Sequence, residues 1–128
     1  KMKTALSDYG LRRIMREKGM NYLDACDLVK KLGFDAIEFT QLKMEFQEES
    51  DFLTLAWKIK EHCQEIGLPV ACYTVSPDPL KFAREAITEQ VDICAVLGAP
   101  VMRYNAFRAC PEGMTCSGKR FGLYEANN

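Results

Sequence analysis

A short pattern occurs three times in this chain: an apolar residue, a glycine, a two-residue link and a mostly apolar run. The copies read LGFDAIEF, IGLPVACY and LGAPVMRY, and their glycines, Gly33, Gly67 and Gly98, are 34 and 31 residues apart. An interval of this length holds one strand, one helix and two loops. The glycine is typical of a left-handed helix end, and the apolar run is typical of a strand. The repeat therefore predicts βα units, whose consecutive strands are parallel.

The segments before these glycines carry apolar residues at helical spacing. Asn21 is predicted to cap the first helix, and the acidic residue three positions later completes a capping box. The second helix is predicted to begin after Ser50 or Asp51, and the third to have Asp78 as its cap and Pro79 at its first position. The predicted stripes are Tyr22, Ala25, Cys26, Val29 and Leu32; Phe52, Leu55, Ala56, Ile59, Cys63 and Ile66; and Leu80, Ala83, Ile87, Val91, Cys94 and Leu97.

The two ends of the chain follow the repeat less closely. A first strand is predicted over residues 2–7, and a last strand, RFGLYE, over residues 120–125. The basic stretch at residues 11–19 favours a solvated loop over a lid, a short helix or a phosphate contact. We expect one partial-barrel domain over residues 1–128, with βα units at about 2–33, 34–67, 68–98 and 99–119 and a fifth strand at about 120–125.

Composition narrows the classes of function. The 128 residues suit one domain, and 17 basic against 18 acidic residues argue against a nucleic-acid partner. No apolar run approaches the roughly 20 residues of a membrane span, and no signal peptide opens the chain. A cytoplasmic protein without a membrane partner is therefore expected.

The cysteine spacing favours packing over metal binding. Cys110 and Cys116 lie six residues apart in a polar stretch, without the CxxC spacing of a structural zinc site. The only histidine, His62, lies off the apolar stripe of its helix and is predicted to be a surface residue. The other four cysteines are predicted to lie in the core: Cys26, Cys63, Cys72 and Cys94.

Polar residues follow the predicted strands, at the edge where ligands bind in parallel α/β folds. Glu38 and Glu125 are notable because each follows apolar residues inside a strand, and Arg103 and Asn105 lie at the fourth strand. Such a cleft suits a polyhydroxylated or anionic small molecule. The other polar residues of this predicted edge are Asp8, Tyr9, Thr40, Gln41, Thr74, Ser76 and Asn127.

Three segments, DACDLVKKLGFDAIEFT, KIKEHCQEIGLPVACYTVSPD and EQVDICAVLGAPVMRYNAF, resemble the amino-terminal half of the xylose isomerase-like TIM barrels, the sugar phosphate isomerase/epimerase superfamily. The resemblance spans residues 2–107, and FGLYEANN is similar to the fifth strand of that family. It implies that Glu125 binds a divalent metal and serves as an acid/base group, and that Glu38 lies near the substrate. Arg103 and Asn105 would then position the substrate's oxygens.

The resemblance implies a sugar or sugar phosphate isomerase or epimerase that moves a proton with the help of Mn²⁺ or Mg²⁺. The family's other metal ligands, an aspartate, a histidine and a second glutamate, come from strands six to eight, which this chain does not reach. It is therefore expected to be an incomplete form that pairs with a second copy or a complementary half-barrel. The alternatives are a non-catalytic half-barrel used for binding or assembly and, structurally, a flavodoxin-like open sheet, although no glycine-rich phosphate loop follows the first strand.

Overall fold

Four parallel strands with helices between them make up the computed structural model, which describes residues 1–46, 51–76 and 84–105. The strands are β1 (Ala5–Ser7), β2 (Ala36–Thr40), β3 (Val70–Val75) and β4 (Met102–Tyr104). The helices are α1 (Arg12–Lys18), α2 (Tyr22–Lys31), α3 (Phe52–Ile66) and α4 (Arg84–Leu97), with short 3-10 turns at Asp8–Leu11 and Met44–Phe46.

The strand order in space is the order in the sequence, β1-β2-β3-β4, and every pair is parallel. Because parallel crossovers are right-handed, this order puts the connecting helices on one face of the sheet. In agreement with that, α3 packs against both α2 and α4. A flavodoxin-like sheet would instead have β1 between β2 and β3. The predicted α/β class of repeated βα units is confirmed, and the flavodoxin-like alternative is wrong.

The core lies between the sheet and its helices. Ile37 and Phe39 of β2 are fully buried, whereas Glu38 and Thr40 point to the other side and are half-buried. Tyr22 of α2 meets the Phe39 ring edge to face, with 5.9 Å between ring centroids. We call the side of the sheet that carries Phe39 the helix face and the side that carries Glu38 the open face. Alternation along each strand therefore separates the core from the polar residues.

Local signals set the ends of the helices as expected. Asn21 caps α2 in a reciprocal capping box with Asp24, and Asp51 caps α3 by accepting hydrogen bonds from the backbone N–H groups of Leu53 and Thr54. A left-handed glycine follows each of the four described helices, where a side chain would be strained. These are the three predicted glycines, Gly33 (φ +87°), Gly67 (φ +68°) and Gly98 (φ +73°), and Gly19 (φ +61°) after α1.

The start of the chain differs from the prediction in two ways. The first strand begins at Ala5, three residues later than predicted. The stretch predicted as a solvated loop forms α1 instead, which makes the short-helix alternative the correct one. The reason is packing, since Leu11 and Met15 are buried in the core while Arg13, Arg16 and Lys18 remain exposed. Tertiary burial thus stabilises a helix whose sequence looks mostly polar.

Three predicted core positions are wrong, and one of them is Leu32, which is 56 % exposed at the end of α2. Val91 is 50 % exposed on α4, and its neighbour Gln90 is buried in its place. Gln90 is accommodated because its Oε1 accepts a 2.6 Å hydrogen bond from the hydroxyl of Tyr73. Cys72 lies on the open face and is only half-buried, because its register with Glu38 turns it away from the helices. Other predictions fall outside the described residues: Asp78, Pro79, Cys110, Cys116 and the fifth strand at residues 120–125.

The cap of α3 leads to a pH prediction. A hydrogen bond from the Thr54 hydroxyl, together with backbone N–H donors, lowers the pKa of Asp51. A carboxyl with a lowered folded-state pKa adds stability above its unfolded pKa of about 3.9, and this stability is lost as the pH falls through the folded value. We expect Asp51→Asn, which keeps the capping oxygen, to lose less stability than the wild type between pH 5 and pH 2 in urea denaturation. Parallel curves for the two proteins would contradict this role of Asp51.

Candidate functional site

The carboxyl ends of the strands carry a set of polar side chains on the open face. The parallel register places Ser7, Glu38 and Cys72 in one row across β1, β2 and β3. Thr40, Thr74 and Arg103 form the next row across β2, β3 and β4, closer to the strand ends. Residues in register share a face of the sheet, so a carboxylate, three hydroxyls, a thiol and a guanidinium group lie on the same face near this edge.

Glu38 is held by its neighbour on the adjacent strand. The Thr74 hydroxyl donates a 2.9 Å hydrogen bond to Glu38 Oε1. Thr74 is 6 % exposed and Glu38 is half-buried, so the pair lies at the edge between the packed strands and the open face. In the part of the chain that the structure describes, Glu38 Oε2 accepts no hydrogen bond. One carboxylate oxygen is therefore fixed, and the other is available to a ligand.

Asp8, directly after β1, is the most buried carboxyl group of this edge, with 1 % of its surface exposed. Its Oδ1 accepts two hydrogen bonds from Thr40, at 2.8 Å from the backbone N–H and at 2.7 Å from the hydroxyl. Burial raises the pKa of Asp8 above its ordinary value, the hydrogen bonds and the Arg12 charge oppose that shift, and the Glu38 carboxylate reinforces it. The negative charge of Glu38 therefore acts on the ionisation of Asp8, which places the two carboxyl groups in one site.

Arg12, at the start of α1, completes this arrangement. Its Nη2 donates a 2.6 Å hydrogen bond to the Thr40 hydroxyl, the same oxygen that donates to Asp8. The guanidinium carbon also lies 5.3 Å from the centroid of the Tyr9 ring, within cation–π range. Its Nε is buried and has no hydrogen-bond partner among the described residues. The Thr40 hydroxyl thus links Arg12 to Asp8, and the charges of Arg12 and Glu38 both act on the Asp8 carboxyl group.

These side chains form two hydrogen-bonded groups, Arg12 with Thr40 and Asp8, and Thr74 with Glu38. The register of Thr40 with Thr74 places the two groups side by side. We call them together the strand-end cluster: Asp8, Arg12, Glu38, Thr40 and Thr74. The cluster brings two acidic side chains and one guanidinium group together at a partly buried site. Electrostatic interactions are stronger there than in water. Carboxylates accept hydrogen bonds from sugar hydroxyls, and a guanidinium group donates to hydroxyl, carbonyl or phosphate oxygens. The arrangement is therefore suited to a small ligand that is rich in oxygen.

The predicted site residues are only partly brought together. Glu38 belongs to the cluster, and Arg103 lies beside Thr74 by register, with its side chain exposed. Asn105 directly follows β4 and is bound outside the cluster. Its Nδ2 donates a 3.1 Å hydrogen bond to the hydroxyl of Ser76, the residue after β3. Glu125, predicted as the catalytic and metal-binding residue, lies outside the described residues. Its assignment stays a prediction.

Arg12 was not singled out as a site residue by the sequence, although a phosphate contact was one alternative for its segment. One signal was present: Asp8 and Arg12 are four residues apart, a spacing at which opposite charges interact when the chain is helical. That signal becomes readable only when α1 is known to be a helix. The bond from Arg12 to Thr40 joins residues 28 positions apart and has no local sequence signature.

A divalent metal was expected from the family resemblance. Within residues 1–46, 51–76 and 84–105, no three histidine, cysteine, aspartate or glutamate side chains are close enough to hold one ion. The only histidine, His62, has its Nε2 2.6 Å from Asp27 Oδ1, in a contact between α3 and α2. The metal expected at Glu125 stays a prediction.

None of the described helices is both long and apolar enough to cross a membrane.

A scan of protein-family models and a search of curated proteins found no match to this chain.

Proposed function

We propose that this chain supplies the amino-terminal part of a xylose isomerase-like enzyme that isomerises or epimerises a sugar or sugar phosphate. The observation that carries the proposal is the strand-end cluster, in which Thr40 links Asp8 to Arg12 and Thr74 holds Glu38 at the carboxyl edge of consecutive parallel strands. In parallel βα folds this edge is where ligands bind and where chemistry takes place. The resemblance noted above supplies the reaction class.

In this proposal the described residues bind and orient the substrate. Glu38 Oε2 accepts a hydrogen bond from a sugar hydroxyl, while Thr74 keeps the carboxylate in place through Oε1. Asp8 holds Thr40, and Thr40 in turn holds the Arg12 guanidinium group against the same edge. Arg103 and Asn105 contribute donors from the neighbouring strand end. A preorganised set of this kind lowers the entropy that is lost on binding.

Proton transfer and metal binding require residues beyond the described set. By resemblance, Glu125 would ligate Mn²⁺ or Mg²⁺, which favour carboxylate oxygens, and would act as an acid/base group. Such an ion polarises a carbonyl or hydroxyl oxygen and so eases removal of the neighbouring proton. One carboxylate leaves most of the coordination shell to water, so a complementary half-barrel or a second copy of the chain would complete the site.

Manganese binding tests the proposal. We expect the isolated chain to bind Mn²⁺ only weakly in calorimetric titration, and the chain in an assembly with the complementary half to bind it tightly and to convert a sugar substrate. In that assembly, Glu125→Gln should weaken Mn²⁺ binding and abolish turnover, because an amide oxygen is a weaker ligand than a carboxylate and cannot accept the proton.

Tight Mn²⁺ binding by the isolated chain would contradict the half-barrel interpretation. An assembly that is unaffected by Glu125→Gln would contradict the role assigned to that residue. Sugar binding without turnover in the assembly would favour the alternative, a non-catalytic binding module.

A further inference from the structure

Two buried thiols touch between α2 and α3, away from the strand-end cluster. The sulfur atoms of Cys26 and Cys63 are 3.6 Å apart, and the two side chains are 0 % and 4 % exposed. The distance equals van der Waals contact, so no other group separates them. The proposed function makes no use of this pair, and the inference below does not depend on that function.

Neighbouring contacts between the same two helices keep the thiols facing each other. Asp27 and His62, each adjacent in sequence to one of the cysteines, form a 2.6 Å contact between Oδ1 and Nε2. One turn further along α2, Lys30 Nζ donates a 3.2 Å hydrogen bond to the carbonyl oxygen of Gly67. Polar contacts thus lie next to the thiol pair and after it along the two helices, which limits sliding of α2 along α3.

The two thiols are chemically unequal. Their hydrogen bond, together with burial, raises the pKa of Cys26, and the same hydrogen bond lowers the pKa of Cys63. Of the two, Cys63 is therefore the one that ionises more easily, and it is also the more exposed residue. A thiolate is the nucleophilic form of cysteine. By contrast, Cys72 and Cys94 make no contact with another sulfur among the described residues.

We infer that Cys26 and Cys63 are a redox pair that hydrogen peroxide converts into a disulfide linking α2 to α3. The Cys63 thiolate attacks one peroxide oxygen, the O–O bond breaks, and the leaving hydroxide takes up a proton to become water. The Cys26 sulfur then attacks the sulfenic sulfur of Cys63, the S–O bond breaks, and a second water leaves. Two thiols are oxidised and one peroxide is reduced to two waters. The sulfurs need to approach by about 1.5 Å to reach bonding distance.

The cross-link closes a loop of 37 residues, since that number separates the two cysteines in the sequence. A disulfide across such a loop restricts the unfolded chain and stabilises the fold. For a chain of this size we expect the melting temperature to rise by roughly 5–15 °C after oxidation. The rise should reverse on addition of dithiothreitol.

To test this inference, the full chain is oxidised with hydrogen peroxide and the thiols that remain free are alkylated under denaturing conditions. The protein is then digested with trypsin without reduction, and the disulfide-linked peptides are identified. The expected product joins the tryptic peptide 19–30, which contains Cys26, to peptide 61–81. Because peptide 61–81 contains both Cys63 and Cys72, the mapping is repeated with Cys72→Ser, which should keep the link. Cys63→Ser should lose both the link and the melting shift.

Cys94→Ser is the matched control, because Cys94 is also buried but has no sulfur partner among the described residues. It should keep the Cys26–Cys63 link and the melting shift. The inference is overturned if Cys26 in the oxidised wild type remains fully open to alkylation, or if its linked partner is any cysteine other than Cys63. The mapping of the wild type decides this even if a variant fails to fold.

Discussion

Asp8→Ala should lower the free energy of unfolding by about 2–3 kcal/mol, because it removes the acceptor of both Thr40 hydrogen bonds. The backbone N–H of Thr40 then loses its partner at a partly buried position, and Arg12 loses the carboxyl group beside it. Asp8→Asn keeps the Oδ1 acceptor and should retain most of the stability. Urea denaturation of the three proteins at neutral pH measures the difference.

The pH dependence of the same variants separates charge from hydrogen bonding. Burial raises the folded-state pKa of Asp8, so the pH-dependent part of its contribution is fully present below its unfolded pKa of about 3.9 and is lost as the pH rises through the folded value. The part that comes from the Thr40 hydrogen bonds remains at neutral pH. Asp8→Asn should therefore gain stability relative to the wild type as the pH rises above 4. Asp92→Ala, at an exposed position of α4, is the control and should have little effect. Equal losses for Asp8→Ala and Asp8→Asn would contradict the acceptor role.

Glu38→Gln should weaken binding of the sugar substrate by roughly 10- to 100-fold, which is the expected loss when a charge-assisted hydrogen bond becomes a neutral one. The amide keeps the shape of the side chain and can still accept the bond from Thr74 through its oxygen. The loss should therefore appear in ligand affinity while the melting temperature changes little. Calorimetric titration of the assembled protein with its sugar, followed by thermal unfolding, measures both quantities.

Glu61→Gln is the matched control for Glu38→Gln, because Glu61 is exposed on α3 and belongs to a different face of the molecule. It removes the same charge and should leave affinity unchanged. Equal affinity of Glu38→Gln and wild type would exclude Glu38 from the substrate site. A large drop in melting temperature for Glu38→Gln would show that its role is structural.

The sequence-based errors share a cause. Val91 and Cys72 were assigned to the core because they fit an apolar periodicity, yet Val91 faces outward and Cys72 lies on the open face. The periodicity of a single helix or strand predicts which residues share a face. It does not predict which polar side chain can be buried because a neighbouring element forms a hydrogen bond with it. Gln90 of α4 is buried because the hydroxyl of Tyr73, on β3, donates a hydrogen bond to it. The same limitation applies to α1, whose helix is stabilised by burial of Met15.

The sequence was sufficient to predict the features that depend on neighbouring residues: the βα period, the caps at Asn21 and at Ser50 or Asp51, and the glycine ends of the helices. The strand-end cluster and the thiol pair depend on tertiary packing. Their contacts join residues 28 to 37 positions apart, such as Arg12 with Thr40 and Cys26 with Cys63. Caps and turns have local signatures because their donors and acceptors lie within a few residues. Contacts across the sheet and between helices have none, because strand register and helix packing decide which distant side chains meet.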